Sequence, residues 1–216
     1  MLSDPGAGNP SHFPTGPAAM RFEQYVAVNG IAVTPADKFE GYAMTVVLPP
    51  DWALFDPEKL GELPGKRVWG WPADPFIERF GANAVLSLSR IGAAPDPAEL
   101  FAMLCESQIH LIEGTQERAR SLTAATEGPG IVGLQFLEML TEEFGRIGSA
   151  SRTRIAPAGS QTLIAQLTVT ALVDSPVDFA DMGLTMAPVD TAEAAGPAAP
   201  IGYHSTPPAA TTPKGH

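Results

Sequence analysis

The residues whose types and spacing could do chemistry form a few small groups, and each group needs a particular setting. Gly128-Pro129-Gly130-Ile131-Val132-Gly133 spells the G-x-G-x-x-G pattern, which cradles a dinucleotide when a hydrophobic strand precedes it and a helix follows. Here the preceding Ser121 to Glu127 is not a hydrophobic strand, and Pro129 sits between the glycines. No acidic residue marks a strand end about 20 positions later, so the glycines read as a turn. His110 lies at helical spacing from Glu106 and Glu113, a trio that could hold a metal or shuttle protons. Salt bridging on a helix surface explains the same residues, and His12, His204 and His216 lie far off near the chain ends. Cys105 lies within a helical segment with no flanking cation to lower its pKa, and no Gly-x-Ser-x-Gly elbow occurs. Glu142 and Glu143 adjoin a turn and read as a solvated face. No catalytic residue, metal ligand or cofactor is therefore assigned.

Aromatic residues offer a different chemistry. Between Asp51 and Phe80 all periodicity is lost amid Pro, Gly and Asp, yet the stretch holds Trp52, Phe55, Trp69, Trp71, Phe76 and Phe80. It is either a hydrophobic flap over the core or the wall of a pocket. Irregular segments need large buried anchors, which favours the flap. If there is a pocket, Trp52, Trp69, Trp71 and Phe76 are the candidate ligand-binding residues.

Composition narrows the class. With 216 residues, 44% of them hydrophobic, the chain can bury a core of ordinary domain size. A formal net charge of -11, from 24 acidic and 13 basic residues, disfavours nucleic acid and simple docking on anionic membrane, since both rely on Lys and Arg. One cysteine precludes an intrachain disulfide framework. No apolar run is long enough for a transmembrane helix.

The elements that must position these groups are organised around Gln161 to Val173. Its alternate positions Leu163, Ala165, Leu167, Val169, Ala171 and Val173 form an apolar face, against Thr162, Ile164, Gln166, Thr168, Thr170 and Leu172. Such alternation predicts a strand, and a strand with a core-facing side needs neighbours and a covering layer. Tyr42 to Leu48 and Asn83 to Ile91 also alternate, and Pro49-Pro50 stops the former. Arg21 to Val28 predicts a short helix ended by Asn29-Gly30. Asp96-Pro97-Ala98-Glu99 is a strong helix start, and Leu100, Phe101, Leu104, Leu111 and Ile112 continue an apolar stripe, predicting a helix over 97–113. The residues of Ile131 to Phe144 fit a helix slightly better than a strand, although the glycine spacing around Ala150 to Ile155 suggests an antiparallel meander. Ser175 to Val189 is read as a last short helix or extended piece.

Residues 1–19, rich in Gly, Pro, Ser and Asn, are expected to be disordered, as is the Pro/Ala/Thr-rich tail 189–216; one domain spans 20–188. Residues 1–19 show no cationic segment, apolar segment or lipidation Cys, which predicts a cytoplasmic, unlipidated product, with non-classical secretion or cell-envelope association as the alternative.

Phe22-Glu23-Gln24-Tyr25-Val26-Ala27-Val28-Asn29-Gly30-Ile31, the strand end Pro49-Pro50-Asp51-Trp52, Asn83 to Ile91 running into the Asp96-Pro97 cap, and the terminal strand from Thr162 occur in a telling order. Over about residues 22–186 this resembles the LpqN/LpqT family of mycobacterial envelope lipoproteins. The resemblance implies an α+β fold, an antiparallel β-sheet flanked by helices in a PsbP-like α/β/α sandwich, and a strand over 133–143. It also implies a non-enzymatic accessory or binding role, with an acylated glycolipid or a cell-envelope transport protein as partner. The family's exported members begin with a signal peptide and a lipidated Cys. A protein-interaction module without a ligand pocket is the alternative, and an enzyme is the less favoured one.

Overall fold

The computed structural model describes residues 20–56 and 63–189. The disorder expected for 1–19 lies outside them, as does that expected for the tail from residue 190.

The strand predicted from its alternation is β9 (Gln161–Leu172), and it sits inside an eight-stranded sheet. Around it lie β1 (Val33–Pro35), β3 (Ala53–Leu54), β4 (Lys66–Gly70), β5 (Asn83–Ile91), β6 (Gln116–Ala124), β7 (Ile131–Thr141) and β8 (Gly145–Ala158). The order is β3-β4-β5-β9-β8-β7-β6, antiparallel at every step, and β1 shares with β4 the outer edge of β5. β9 pairs with β5 on one side and along its whole length with β8 on the other, so its side chains are fixed in register from both sides. β2 (Tyr42–Val47) and β10 (Gly183–Pro188) form a separate two-stranded ribbon. Among the described residues the α-helices are α1 (Phe22–Asn29), a single turn α2 (Ile77–Phe80) and α3 (Pro97–Ile109).

The α+β architecture, an antiparallel sheet flanked by helices, is present. Its two faces are covered differently. On the ribbon face, Met44, Leu184 and Met186 pack over Ala84, Leu86, Leu167 and Val169. On the helical face, Leu100, Phe101 and Cys105 of α3 pack over Ile91, Ile155 and Ile164. Asp96 caps α3 by accepting the backbone N–H of Ala98 and Glu99 at 2.9 and 3.0 Å. Ser107 ties α1 onto α3 by accepting the Phe22 N–H and donating to Glu23.

Two expectations need correction. The helix predicted over 97–113 ends at Ile109, with Leu111 and Ile112 76% and 41% exposed beyond it. The chain turns there through Gly114 at φ 79°, so those two apolar residues never reach the sheet. Ile131 to Thr141 is a strand, against the lean of its residues and in line with the resemblance. Its core-facing set is Ile131, Gly133, Gln135, Leu137 and Met139, and the glycine and glutamine hide the alternation. Ser121 to Ala124, read as no hydrophobic strand, belongs to β6, which ends the sheet and is mostly exposed.

Candidate functional site

The helical face of the sheet is closed at its two ends and open between them. At one end stand α3 and α1. At the other, Phe76, Phe80 and Phe144 pack against Met139, Ile147 and Leu172. Asp74 builds this second shoulder: its carboxylate is buried and accepts the Phe76 and Ala82 N–H groups at 3.0 and 2.8 Å. Arg79 adds a hydrogen bond to the Phe144 carbonyl.

Between the shoulders the register lines up short polar side chains on three adjacent strands. Ser87 of β5 is opposite Gln166 of β9, which is opposite Thr153 of β8; Thr168 is opposite Ser151, and Thr170 opposite Ser149. Residues paired in this way project from one face. They are joined side chain to side chain: Ser151 to Thr168 at 3.0 Å, Ser149 to Thr170 at 3.5 Å, and Gln166 Nε2 donating to Thr153 at 2.9 Å. Ser151 also donates to Gln108 Oε1 at 3.1 Å, linking the strip to the last turn of α3. A hydroxyl has a single proton, so Thr168 is the donor to Ser151 and keeps an oxygen lone pair free. Ser87, Gln166, Thr168, Thr170 and Val85 are half-buried, whereas Ser149, Ser151 and Thr153 of β8 are buried behind them, so solvent reaches the strip along β5 and β9. Phe55 continues the β3–β4 ladder on the same face, its ring over Gly70, with Val68 and Val85 beside it.

The strip contains no titratable side chain, so it is suited to hydrogen bonding with neutral hydroxyls and not to proton transfer. Candidate chemical groups elsewhere are dispersed. His110 caps α3 at its exposed end, and Glu106, instead of facing His110, pairs with Arg120 at 3.1 Å. Among the described residues no group of three His, Cys, Asp or Glu side chains could hold a metal. Cys105 does have a cation near it, Arg120 brought over by β6, which the sequence did not show. Burial outweighs the cation and pushes the thiol up to about 12.

The G-x-G-x-x-G glycines make the β6–β7 turn and the start of β7, with a strand and not a helix after them. Gly130, at φ 96°, lies against the Ile155 carbonyl where no Cβ fits, and Gly133 lies under the Phe101 ring. Their role is close packing.

The four aromatic candidates are not brought together. Trp69 is buried in the core beneath the ribbon, with Trp52 packed against the same cluster. Trp71 extends the β4–β5 ladder through its N–H to Ala82, on that ribbon side. Phe76 alone borders the strip. Sequence reasoning missed Gln108, Ser149, Ser151 and Thr153; the alternation of Ser149, Ser151 and Thr153 against Ala150, Arg152 and Arg154 was the available signal.

With this geometry in view, the chain can be set beside solved structures. The crystal structure of LpqN, involved in cell envelope biogenesis of Mycobacterium tuberculosis, is 22% identical over 74% of this chain and 88% of that one, with a TM-score of 0.55. The likeness is one of fold. The Ran-binding protein Mog1p of Saccharomyces cerevisiae is 12% identical over 65% of this chain and 78% of that one, and its TM-score of 0.37 carries no argument. No protein-family model and no curated protein matches the chain. No helix among the described residues is long and apolar enough to cross a membrane.

Proposed function

We propose that this protein is a non-enzymatic binding or accessory module of the cell envelope, whose open strip takes an acylated glycolipid. The observation that carries the proposal is the run of hydroxyl and amide groups, free of charge, between two apolar shoulders. A sugar headgroup exchanges its hydrogen bonds to water for bonds to the half-buried Gln166, Thr168, Thr170 and Gln108, with the buried Ser149 and Ser151 orienting the two threonines. An acyl chain lies along Phe76 and Phe80, or along Phe55, Val68 and Val85. Pockets that pair a few convergent polar groups with apolar walls are the usual form of a small-molecule site. In this proposal Phe76 keeps the ligand-facing role, whereas Trp52, Trp69 and Trp71 hold the fold. The fold's likeness to an envelope protein supports an envelope location over the cytoplasmic one, and cell fractionation tests it.

Calorimetric titration with an acylated trehalose, free trehalose and a fatty acid separates the parts. Binding of the acylated sugar well above either component supports the proposal; binding of none of the three contradicts it. A second reading, a protein-interaction module serving a transport partner, draws on Leu134 and Leu140 of β7, 36% and 70% exposed on the ribbon face. Retained partner binding after Ser151→Ala and Thr168→Val, together with its loss in Leu140→Glu, would favour that reading.

A further inference from the structure

On the opposite face of the sheet, Arg154 of β8 is 1% exposed and is the largest fully buried side chain among the described residues. Its Nη1 donates to the carbonyls of Ile131 and Ile155 at 3.1 and 3.2 Å. No acceptor among the described residues reaches Nε or Nη2. Nη2 is aimed at the Gly128 turn, 3.9 Å from where a Cβ on Gly128 would stand, and Pro188 of the ribbon closes the same spot. A guanidinium buried with two of its nitrogens unpaired carries a desolvation cost that no hydrogen bond repays.

We propose that the free edge of Arg154 is an oxyanion site, taking a carboxylate or phosphate group that enters under the Gly128-Pro129-Gly130 turn. The fork of Nε and Nη2 matches two oxygens of one such group, and the pair removes the unmet charge. The nearby groups that can carry negative charge are Glu127, exposed on the turn, and Tyr42 at the ribbon end. Neither makes a hydrogen bond to the guanidinium, and burial still pushes Arg154 below the usual arginine value against their weaker pull. A glycine turn is a suitable cover. Gly128 at φ 126° and Gly130 at φ 96° hold backbone conformations that other residues rarely adopt, so the turn reaches Arg154 without a side chain in the way. The site lies on the ribbon face, away from the hydroxyl strip, and stands independently of the glycolipid proposal.

The test is thermal unfolding of the full chain in inorganic phosphate, acetate or chloride at matched ionic strength, for the native protein and for Arg154→Met. Phosphate stabilises most proteins weakly by exclusion from their surface, so the readout is the difference between the two proteins. The expected result is a Tm rise of about 3 °C in the native protein beyond that in Arg154→Met, by ligand linkage. Whether phosphate or acetate produces it identifies the group. Glu127→Gln removes a competing carboxylate and is expected to enlarge the rise. Should Arg154→Met not fold, Arg154→Lys, which keeps the charge and loses the fork, replaces it. Equal responses of native and variant proteins to every anion would overturn the site. So would a Glu127→Gln variant that loses stability while the native protein ignores both anions, because Glu127 would then be the partner.

Discussion

Gly133 on β7 lies directly under the Phe101 ring of α3, so close that a Cβ at that position would overlap the ring. At this point the helical layer and the sheet leave no room for a side chain between them. The layer in turn brings Gln108, seven residues further along the helix region, down onto Ser151.

Gly133→Ala is therefore expected to destabilise the protein by about 1–3 kcal/mol, the usual cost of overpacking a filled core. Gly148→Ala is the control, since a Cβ there meets Phe179 and Phe136 at ordinary contact distances of 3.4 and 3.5 Å. It should change stability little. Urea unfolding of the two variants checks the contrast, and equal stabilities would mean that the helix rests on the sheet differently.

Asp74→Ala strips the acceptors from the Phe76 and Ala82 N–H groups and removes the Ser175 partner at 3.4 Å. A loss of about 1–3 kcal/mol is expected from the unsatisfied donors. Because Asp74 also positions Phe76, affinity for an acylated ligand should fall more than affinity for its sugar alone. Calorimetry on the folded variant measures both.

Burial holds the Cys105 thiol near 12, against an ordinary 9.0. The folded value is raised, so the contribution to stability is fully present below pH 9 and is lost as pH rises from there through about 12. Native protein at pH 8 should resist a thiol-directed maleimide until urea unfolds it. Rapid labelling of the folded protein would show that Cys105 is exposed or activated.

Much of the frame was legible in the sequence because local signals and tertiary roles agreed. Asp96 caps the helix it was expected to cap, Gly30 ends α1 in the left-handed conformation, and β9 occupies the middle of the sheet. The reading failed where a residue's role depends on distant partners. Gln135 looks polar and exposed in sequence, yet it is buried and donates to the Cys105 carbonyl and Glu117. β6 has almost nothing to bury, being an edge strand, and hydrophobic periodicity cannot find such a strand. The strip itself escaped notice for the same reason. Thr168 and Thr170 look like the solvent side of one strand, and only the register with β8 sets Ser151 and Ser149 beside them. Trp69, from a stretch without periodicity, lies opposite Ala84 in the core.

The measurement that bears most directly on the strip is the affinity of an acylated trehalose for the native protein and for Ser151→Ala/Thr168→Val, followed by calorimetry with free sugar and fatty acid as references. The double variant removes the hydroxyl pair joined at 3.0 Å while keeping side chains of similar size at Thr168. The expected result is a fold intact by circular dichroism and a loss of at least about tenfold in affinity for the acylated sugar, the equivalent of about one or two hydrogen bonds, with fatty-acid binding unchanged. Equal affinity of native and variant proteins, or no binding by the native protein, would contradict a glycolipid site on this face.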